Sequence, residues 1–169
     1  MHRKLPIALL VAGLTAACTS TGSSSEETSP TAPVAGHVNA CSILPETIVA
    51  SKIGGRVTEV SRLTRANFIS PPPGEFAACA YRTSGRYGEL ILWVQPMGRE
   101  QYEARFAHRD TPTTKVPGLG EDALFHGCGG LTVYSGGRIL QLGVQYGVGP
   151  CGALERSLVS LARVGLRNL

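Results

Sequence analysis

Apolar and polar residues alternate along several short segments of the chain, as expected of β-strands that bury one face. The last strand alternates cleanly, with Leu140, Leu142 and Val144 on one face and Gln141, Gly143 and Gln145 on the other. An earlier segment is apolar on both faces, with Leu90, Leu92 and Val94 on one and Ile91 and Trp93 on the other. Turn-forming residues, glycine above all, separate these segments and favour antiparallel hairpins. The pattern predicts six strands, at residues 56–63, 76–83, 89–95, 122–127, 131–135 and 138–146.

Three further segments have apolar residues at helical spacing. The first opens at Leu44 and Pro45, with proline at the first helical position, and ends at Gly54. The second occupies residues 98–109 and the third residues 150–166. The resulting order is α-βββ-α-βββ-α. It predicts an α+β fold, with an antiparallel sheet of about five to six strands and helices packed mainly on one face.

The first 17 residues have the three parts of a secretory signal peptide. A basic start at residues 2–4 precedes an apolar run at residues 5–14, and small residues follow at 15–17. The apolar run is too short for a transmembrane helix, which needs about 20 residues. We therefore expect residues 1–17 to direct export and then to be removed.

Cys18 directly follows the small residues, and the combination resembles the lipobox of bacterial lipoproteins, whose cysteine carries a diacylglycerol. An ordinary signal peptide with a chance cysteine is the alternative. Residues 18–38 are rich in Ser, Thr, Gly and Pro, a composition typical of flexible tethers, which favours the lipoprotein. Residues 39–169 then form a single domain, anchored by acyl chains in membrane lipid at the extracytoplasmic face of the cell membrane.

The charge of the chain does not favour nucleic acid as a partner. Without the two basic residues of the signal peptide, the net charge falls from +4 to about +2. Lysine and arginine are scattered singly along the chain, whereas a nucleic-acid surface usually clusters them. We expect no nucleic-acid partner.

Four cysteines remain once Cys18 is assigned to lipid, namely Cys41, Cys79, Cys128 and Cys151. An even number in an exported domain predicts two disulfides. Three pairings are open, and the local one, Cys41 with Cys79 and Cys128 with Cys151, would join the first and last helices to the sheet. Because no Cys-x-x-Cys spacing occurs and histidines are few, we expect neither a metal site nor a cofactor.

Several motifs resemble those of a family of small actinobacterial lipoproteins of unknown function. They are CSILPETIVASKIGG at residues 41–55, CAYR at 79–82, VPGLGEDALF at 116–125 and LTVYSGGRILQLGV at 131–144. The similarity spans residues 40–169, nearly all of the folded part. It implies an exported, membrane-anchored α+β domain, and it brings no catalytic residues.

Two motifs invite a catalytic interpretation. His126 and Cys128 lie two residues apart, but such residues share a strand face without facing each other, and Cys128 is expected in a disulfide. Glu121 and Asp122 follow a glycine and could bind a cation or act as acid and base, although a turn before a strand explains them more simply. An extracytoplasmic hydrolase built on Glu121, Asp122 and His126 is the less favoured alternative.

Ile91, Trp93 and Tyr134 are the candidate binding surface. All three lie on the strand faces opposite the main apolar positions, so helices covering those positions would leave an exposed aromatic patch. The alternative is that the proline-rich loop at residues 71–73 folds over Trp93. Since common hydrolase signatures such as Gly-x-Ser-x-Gly are missing, we expect a non-enzymatic module for an unknown ligand or envelope protein. An accessory or sensor subunit of a membrane protein complex is the other possibility.

Overall fold

A computed structural model of the chain describes residues 38–107, 112–145 and 150–169. The expected signal peptide, the predicted lipidation site Cys18 and the predicted tether up to residue 37 lie outside the described residues, so these assignments stay predictions. Within the described ranges, no helix is both long enough and apolar enough to cross a membrane.

Helices and strands alternate in groups along the described part of the chain. The helices are α1 (Ala40–Ile43), α2 (Glu46–Ile53), α3 (Arg99–Tyr102) and α4 (Cys151–Arg167). The strands are β1 (Val57–Leu63), β2 (Ala77–Thr83), β3 (Glu89–Pro96), β4 (Thr113–Lys115), β5 (Asp122–His126), β6 (Gly130–Ser135) and β7 (Arg138–Gln145). A 3-10 turn (Arg65–Asn67) follows β1, and a π-helical turn (Glu103–Ala107) extends α3.

The strands form one seven-stranded antiparallel sheet in the order β1-β2-β3-β7-β6-β5-β4, which confirms the predicted α+β fold. The sheet has one strand more than expected, because β4 lies in a segment for which neither a helix nor a strand is predicted. Its three residues are all exposed and show no apolar alternation. Pairing with β5, which aligns Thr114 with Phe125, makes this segment a strand. Such short strands depend on an existing sheet edge rather than on their own sequence.

The predicted first helix corresponds to α2, which ends before Gly54 as expected, and a further short helix, α1, precedes it. The sequence favours one helix opening at Leu44, but Leu44 is extended, with φ −114° and ψ 116°. A residue that precedes proline is sterically disfavoured in the helical conformation, so Pro45 separates α1 from α2. The side chain of Asn39 accepts a hydrogen bond from the Cys41 amide at 3.2 Å and caps the start of α1.

The first face of the sheet carries the main hydrophobic core. Leu92 of β3 pairs with Leu142 of β7, and both are fully buried in one cluster with Leu158 and Leu161 of α4. Residues of α1 and α2 belong to the same cluster. Three of the four helices thus cover one face, as the strand pattern predicts.

The second face is covered differently along its length. At one end, Tyr102 of α3 and Phe106 of the π-helical turn form a smaller buried cluster with Leu124, Tyr134 and Ile139. At the other end, the loop at residues 64–76 approaches β3. This uneven cover creates the recesses described below.

Two disulfides join helices to the sheet. Cys41–Cys79 links α1 to β2, and Cys128–Cys151 links the turn before β6 to the first residue of α4. These are the bonds of the predicted local pairing, which is confirmed. The two differ in environment, because Cys79 is fully buried whereas Cys128 and Cys151 are both exposed.

Candidate functional site

The three residues of the candidate binding surface lie on the second face of the sheet, but not together. Ile91 and Trp93 are neighbours on β3, with Ile91 7 % exposed and Trp93 half-buried. Tyr134 of β6 is buried beneath α3, where its ring stacks on that of Tyr102 with centroids 4.8 Å apart. Strand β7 lies between β3 and β6. The structure therefore brings Ile91 and Trp93 to one region and places Tyr134 in another.

A loop covers part of Trp93. The ring of Phe68 meets that of Trp93 edge to face at 5.8 Å, and Phe76 packs on Phe68 in the same way at 5.4 Å. The proline segment reaches another residue, since the Pro73 carbonyl accepts a hydrogen bond from Gln95 Nε2. The indole N–H of Trp93 is buried and has no hydrogen-bond partner among the described residues. The side chain of Phe68 is thus the ring that packs directly on Trp93.

Beside Phe68 the second face opens into a groove of about 440 Å³, which we call the Ile91 groove. Its apolar lining residues are Leu63, Phe68, Ala80 and Ile91, and its neutral polar lining residues are Ser61, Asn67 and Gln145. The sheet register explains the floor, because Ser61, Ala80, Ile91 and Gly143 lie side by side on β1, β2, β3 and β7. Gly143 has open space where a side chain would project, so no described residue fills the groove at that point.

Charged residues border the Ile91 groove. Arg82 Nη1 lies 2.7 Å from Glu59 Oε2, and Arg82 Nη2 lies 3.6 Å from Glu89 Oε2. Arg62 also lines the groove, so the border holds two charges of each sign. The Arg82–Glu59 pair is largely exposed and contributes little to stability. The two arginines and two glutamates balance, so the groove carries no net charge.

The side chains considered for catalysis hold other parts of the fold together. Glu121 Oε1 accepts a hydrogen bond from the Gly136 amide at 2.7 Å, and His126 Nε2 lies 2.9 Å from Thr132 Oγ1. Asp122 and His126 occupy positions four apart on β5, which separates them by about 13 Å along the strand. A cooperating acid and base must both reach the reacting atoms. The structure does not bring Glu121, Asp122 and His126 to such a common point.

The covered end of the second face is built around Tyr102. Burial raises the pKa of the Tyr102 hydroxyl, and the neighbouring Asp122 carboxylate raises that pKa further. The Arg99 guanidinium lies over the rings of Tyr102 and Tyr134, at 5.8 and 5.2 Å, and pairs with Glu103 at 2.7 Å. A protonated tyrosine and a paired arginine stabilise the packing of α3 on the sheet.

Sequence reasoning missed most of the groove. The alternation of β1 and β2 could have indicated Ser61 and Ala80, because both lie on the face opposite the core. Phe68 follows a 3-10 turn in a loop without apolar periodicity, so no sequence signal pointed to it. Across the residues that the structure describes, no group of three or more His, Cys, Asp or Glu side chains could hold a metal ion.

Comparison with known proteins adds no relative, since no family model, no curated protein and no solved structure matches the chain. The resemblance to small actinobacterial lipoproteins therefore rests on the motifs alone and stays a prediction.

Proposed function

We propose that this chain is a lipid-anchored extracytoplasmic module that binds a ligand and catalyses no reaction. Cys18 would carry the acyl chains, residues 18–38 would form the tether, and residues 39–169 would present the Ile91 groove outside the membrane. The observation that carries the proposal is the groove itself, an open recess with an apolar floor on a cross-linked sheet.

The lining of the groove favours an uncharged ligand with an apolar body. Such a body would lie on Ala80, Ile91 and Phe68, while hydroxyl or amide groups would bond to Ser61 or Asn67. A volume of about 440 Å³ falls within the range of small-molecule sites, which is about 300 to 1,000 Å³. A balanced border of charges gives neither anions nor cations an advantage.

The same lining supports binding rather than catalysis. The groove residues in the described part of the chain include no histidine and no cysteine. Both carboxylates at the border, on Glu59 and Glu89, are engaged with Arg82. A rigid sheet also loses little conformational entropy when a ligand binds, which suits a preformed binding site.

A groove-filling variant tests the binding site. The full chain is titrated with n-octyl β-D-glucoside below its micelle concentration, and the emission of Trp93, the sole tryptophan, is recorded. We expect a saturable change in the wild type and none in Ser61→Tyr, whose ring would occupy the groove. Ser51→Tyr is the matched control, because Ser51 is exposed on α2 and should leave binding unchanged. Equal responses in all three proteins, or none in the wild type, would overturn the binding site.

The anchor is tested separately from the groove. Cells expressing the full chain are fed an alkyne analogue of palmitate, and the membrane fraction is examined by mass spectrometry. We expect label on the peptide that begins at Cys18, and loss of both label and membrane association in Cys18→Ala. An unmodified Cys18 in the exported protein would rule out the anchor without affecting the groove.

A further inference from the structure

A second recess lies on the same face of the sheet, where residues 73–75 approach α3 and its π-helical turn. It has a volume of about 470 Å³, and we call it the Gln95 pocket. It shares no lining residue with the Ile91 groove, so the two recesses are separate sites. Its lining includes Pro73, Gln95, Pro96, Met97 and Arg105.

Gln95 is the unusual residue of this pocket. Its side chain is buried, with 5 % of the residue exposed, and Nε2 donates a hydrogen bond to the Pro73 carbonyl. That bond fixes the orientation of the amide, which makes Oε1 the free acceptor. Oε1 is buried and has no hydrogen-bond partner among the described residues. Buried acceptors are nearly always paired, so an unpaired one on a residue that lines a recess calls for a donor that the described residues do not supply.

The backbone around Gln95 is shaped to keep this arrangement. Gly74 has φ +79°, and a Cβ at this position would lie 3.4 Å from Gln95 Nε2. The loop therefore packs closely against the amide, and glycine permits both the conformation and the approach. The side chain of Gln95 has little freedom to turn its acceptor elsewhere.

The other lining residues indicate what the ligand carries besides a donor. Pro96 and Met97 supply apolar surface, and Met97 is 6 % exposed. Arg105, which is half-buried in the π-helical turn, brings a positive charge and planar donors suited to a carboxylate. Glu75 is the acidic residue of the same lining, and it is exposed at the rim, where water screens its charge.

We propose that the Gln95 pocket binds an N-acylated amino acid. The carboxyl-terminal residue of a peptide is such a group, because the preceding residue acylates its amine. Its amide N–H donates to Gln95 Oε1, its carboxylate pairs with Arg105, and its apolar side chain lies on Pro96 and Met97. A free N-acyl amino acid and a peptide carboxyl terminus share this chemistry. The proposal does not depend on the Ile91 groove, whose lining favours uncharged ligands.

Methionine NMR can detect this binding directly. The chain contains two methionines, Met1 and Met97, and the signal missing from Met97→Leu identifies the methyl group in the pocket. Full-length protein with ¹³C-labelled methionine methyl groups is titrated with N-acetyl-L-leucine to about 10 mM, enough to saturate a site with a Kd of about 1 mM. We expect a saturable shift of the Met97 signal, and a leucine-terminated tripeptide distinguishes a peptide end from the free compound by tighter binding.

Two analogues and two variants test the individual contacts. The ester 2-acetoxy-4-methylpentanoic acid lacks the N–H, and we expect it to bind about tenfold or more weakly. N-acetyl-L-leucinamide lacks the carboxylate, so it should bind the wild type more weakly than N-acetyl-L-leucine does. In Arg105→Gln the two compounds should bind equally. Gln95→Met should lose binding of N-acetyl-L-leucine, whereas the matched control Gln145→Met, in the Ile91 groove, should retain it.

Three results would overturn the proposal. They are an unmoved Met97 signal, equal binding of N-acetyl-L-leucine and 2-acetoxy-4-methylpentanoic acid, and an unchanged affinity of Gln95→Met for N-acetyl-L-leucine. If circular dichroism shows that Gln95→Met does not fold, the binding of N-acetyl-L-leucine and of 2-acetoxy-4-methylpentanoic acid to the wild type is compared instead. Equal affinities in that comparison overturn the proposal.

Discussion

The hydroxyl of Tyr81 donates to the carbonyl oxygen of Leu44 at 3.1 Å, across 37 residues of sequence. The carbonyl oxygen of Cys41 lies 3.2 Å from the same hydroxyl. Tyr81 is fully buried on β2, and its single O–H proton lies within hydrogen-bond distance of two carbonyls at the end of α1, where helix carbonyls lack partners within the helix. This contact lies beside the Cys41–Cys79 disulfide, and the two together hold α1 on the sheet.

Replacing Tyr81 with phenylalanine should lower the free energy of unfolding by about 1 to 2 kcal/mol, because the Leu44 and Cys41 carbonyls would lose a buried donor. Urea denaturation with intact disulfides measures the change. Tyr87→Phe is the control, since Tyr87 is also buried but has no side-chain hydrogen bond recorded in the described part of the chain. A loss no larger in Tyr81→Phe than in Tyr87→Phe would show that the contact contributes nothing.

The same hydroxyl should make the fold sensitive to alkali. Burial raises the pKa of Tyr81 from 10.0 to about 12, against a smaller lowering by the Leu44 hydrogen bond, and Glu46 adds to the rise. Between these two pH values the unfolded chain loses a proton that the folded chain keeps. The stability that Tyr81 contributes is therefore fully present below about pH 10 and is lost as the pH rises toward about 12. Burial also raises the pKa of Tyr102, so its ionisation acts on stability in the same direction.

The alkaline loss of stability should therefore be less steep in Tyr81→Phe than in the wild type. Urea denaturation at intervals from about pH 8 to about pH 11 gives both slopes. Parallel slopes would mean that Tyr81 ionises equally in both states.

The two disulfides should differ in how readily they are reduced. Loop closure alone predicts similar stabilisation, about 3.4 kcal/mol for a separation of 23 residues and about 3.9 kcal/mol for 38. Exposure differs far more, because both sulfurs of Cys128–Cys151 belong to exposed residues and Cys79 is fully buried. The position of Cys151 at the start of α4 also favours its thiolate as a leaving group.

Dithiothreitol under native conditions should therefore reduce Cys128–Cys151 first and leave Cys41–Cys79 intact until the domain unfolds. Alkylation followed by peptide mass spectrometry follows the four cysteines separately. Reduction of both bonds at one rate would indicate that global unfolding limits access to each.

Gly120 should tolerate no side chain. It has φ +64°, and a Cβ there would lie 2.6 Å from the Tyr134 carbonyl oxygen and 2.7 Å from Val133 Cγ1. Gly120→Ala should thus lose more than about 2 kcal/mol of stability, since strain and a backbone clash combine. Gly118→Ala is a matched control in the same motif, with φ +71° but open space, and should lose about 1 kcal/mol. Thermal unfolding of both variants compares the two losses.

Phe68 should control the solvent exposure of Trp93. Phe68→Ala removes the ring that packs on the indole, so the emission of Trp93 should shift to longer wavelength and be quenched more strongly by iodide. Ile69→Ala serves as the control, because Ile69 is fully exposed and adjacent in sequence. Identical spectra for the two variants would contradict the role of Phe68.

Local regularities in the sequence were sufficient to predict much of the fold. Alternation along β3 placed Leu90, Leu92 and Val94 together on one face, because neighbouring side chains on a strand must point to opposite sides, and that face lies in the main core. The spacing of the cysteines favoured the pairing that occurs, since one bond joins a helix to a strand and the other joins a helix to the turn before a strand. The start of α2 also had a local cause, because Pro45 keeps Leu44 out of the helical conformation and separates α2 from α1.

The tertiary structure alone decided which parts of the second face are covered. Strand alternation states that Ile91, Trp93 and Tyr134 share a face, but it contains no information about which helix or loop packs on each of them. Tyr134 is buried because α3 places Tyr102 on it, and Trp93 is shielded because an aperiodic loop carries Phe68 back to the sheet. Contacts between elements far apart in sequence depend on their docking geometry, and that geometry determined where the sheet remains open.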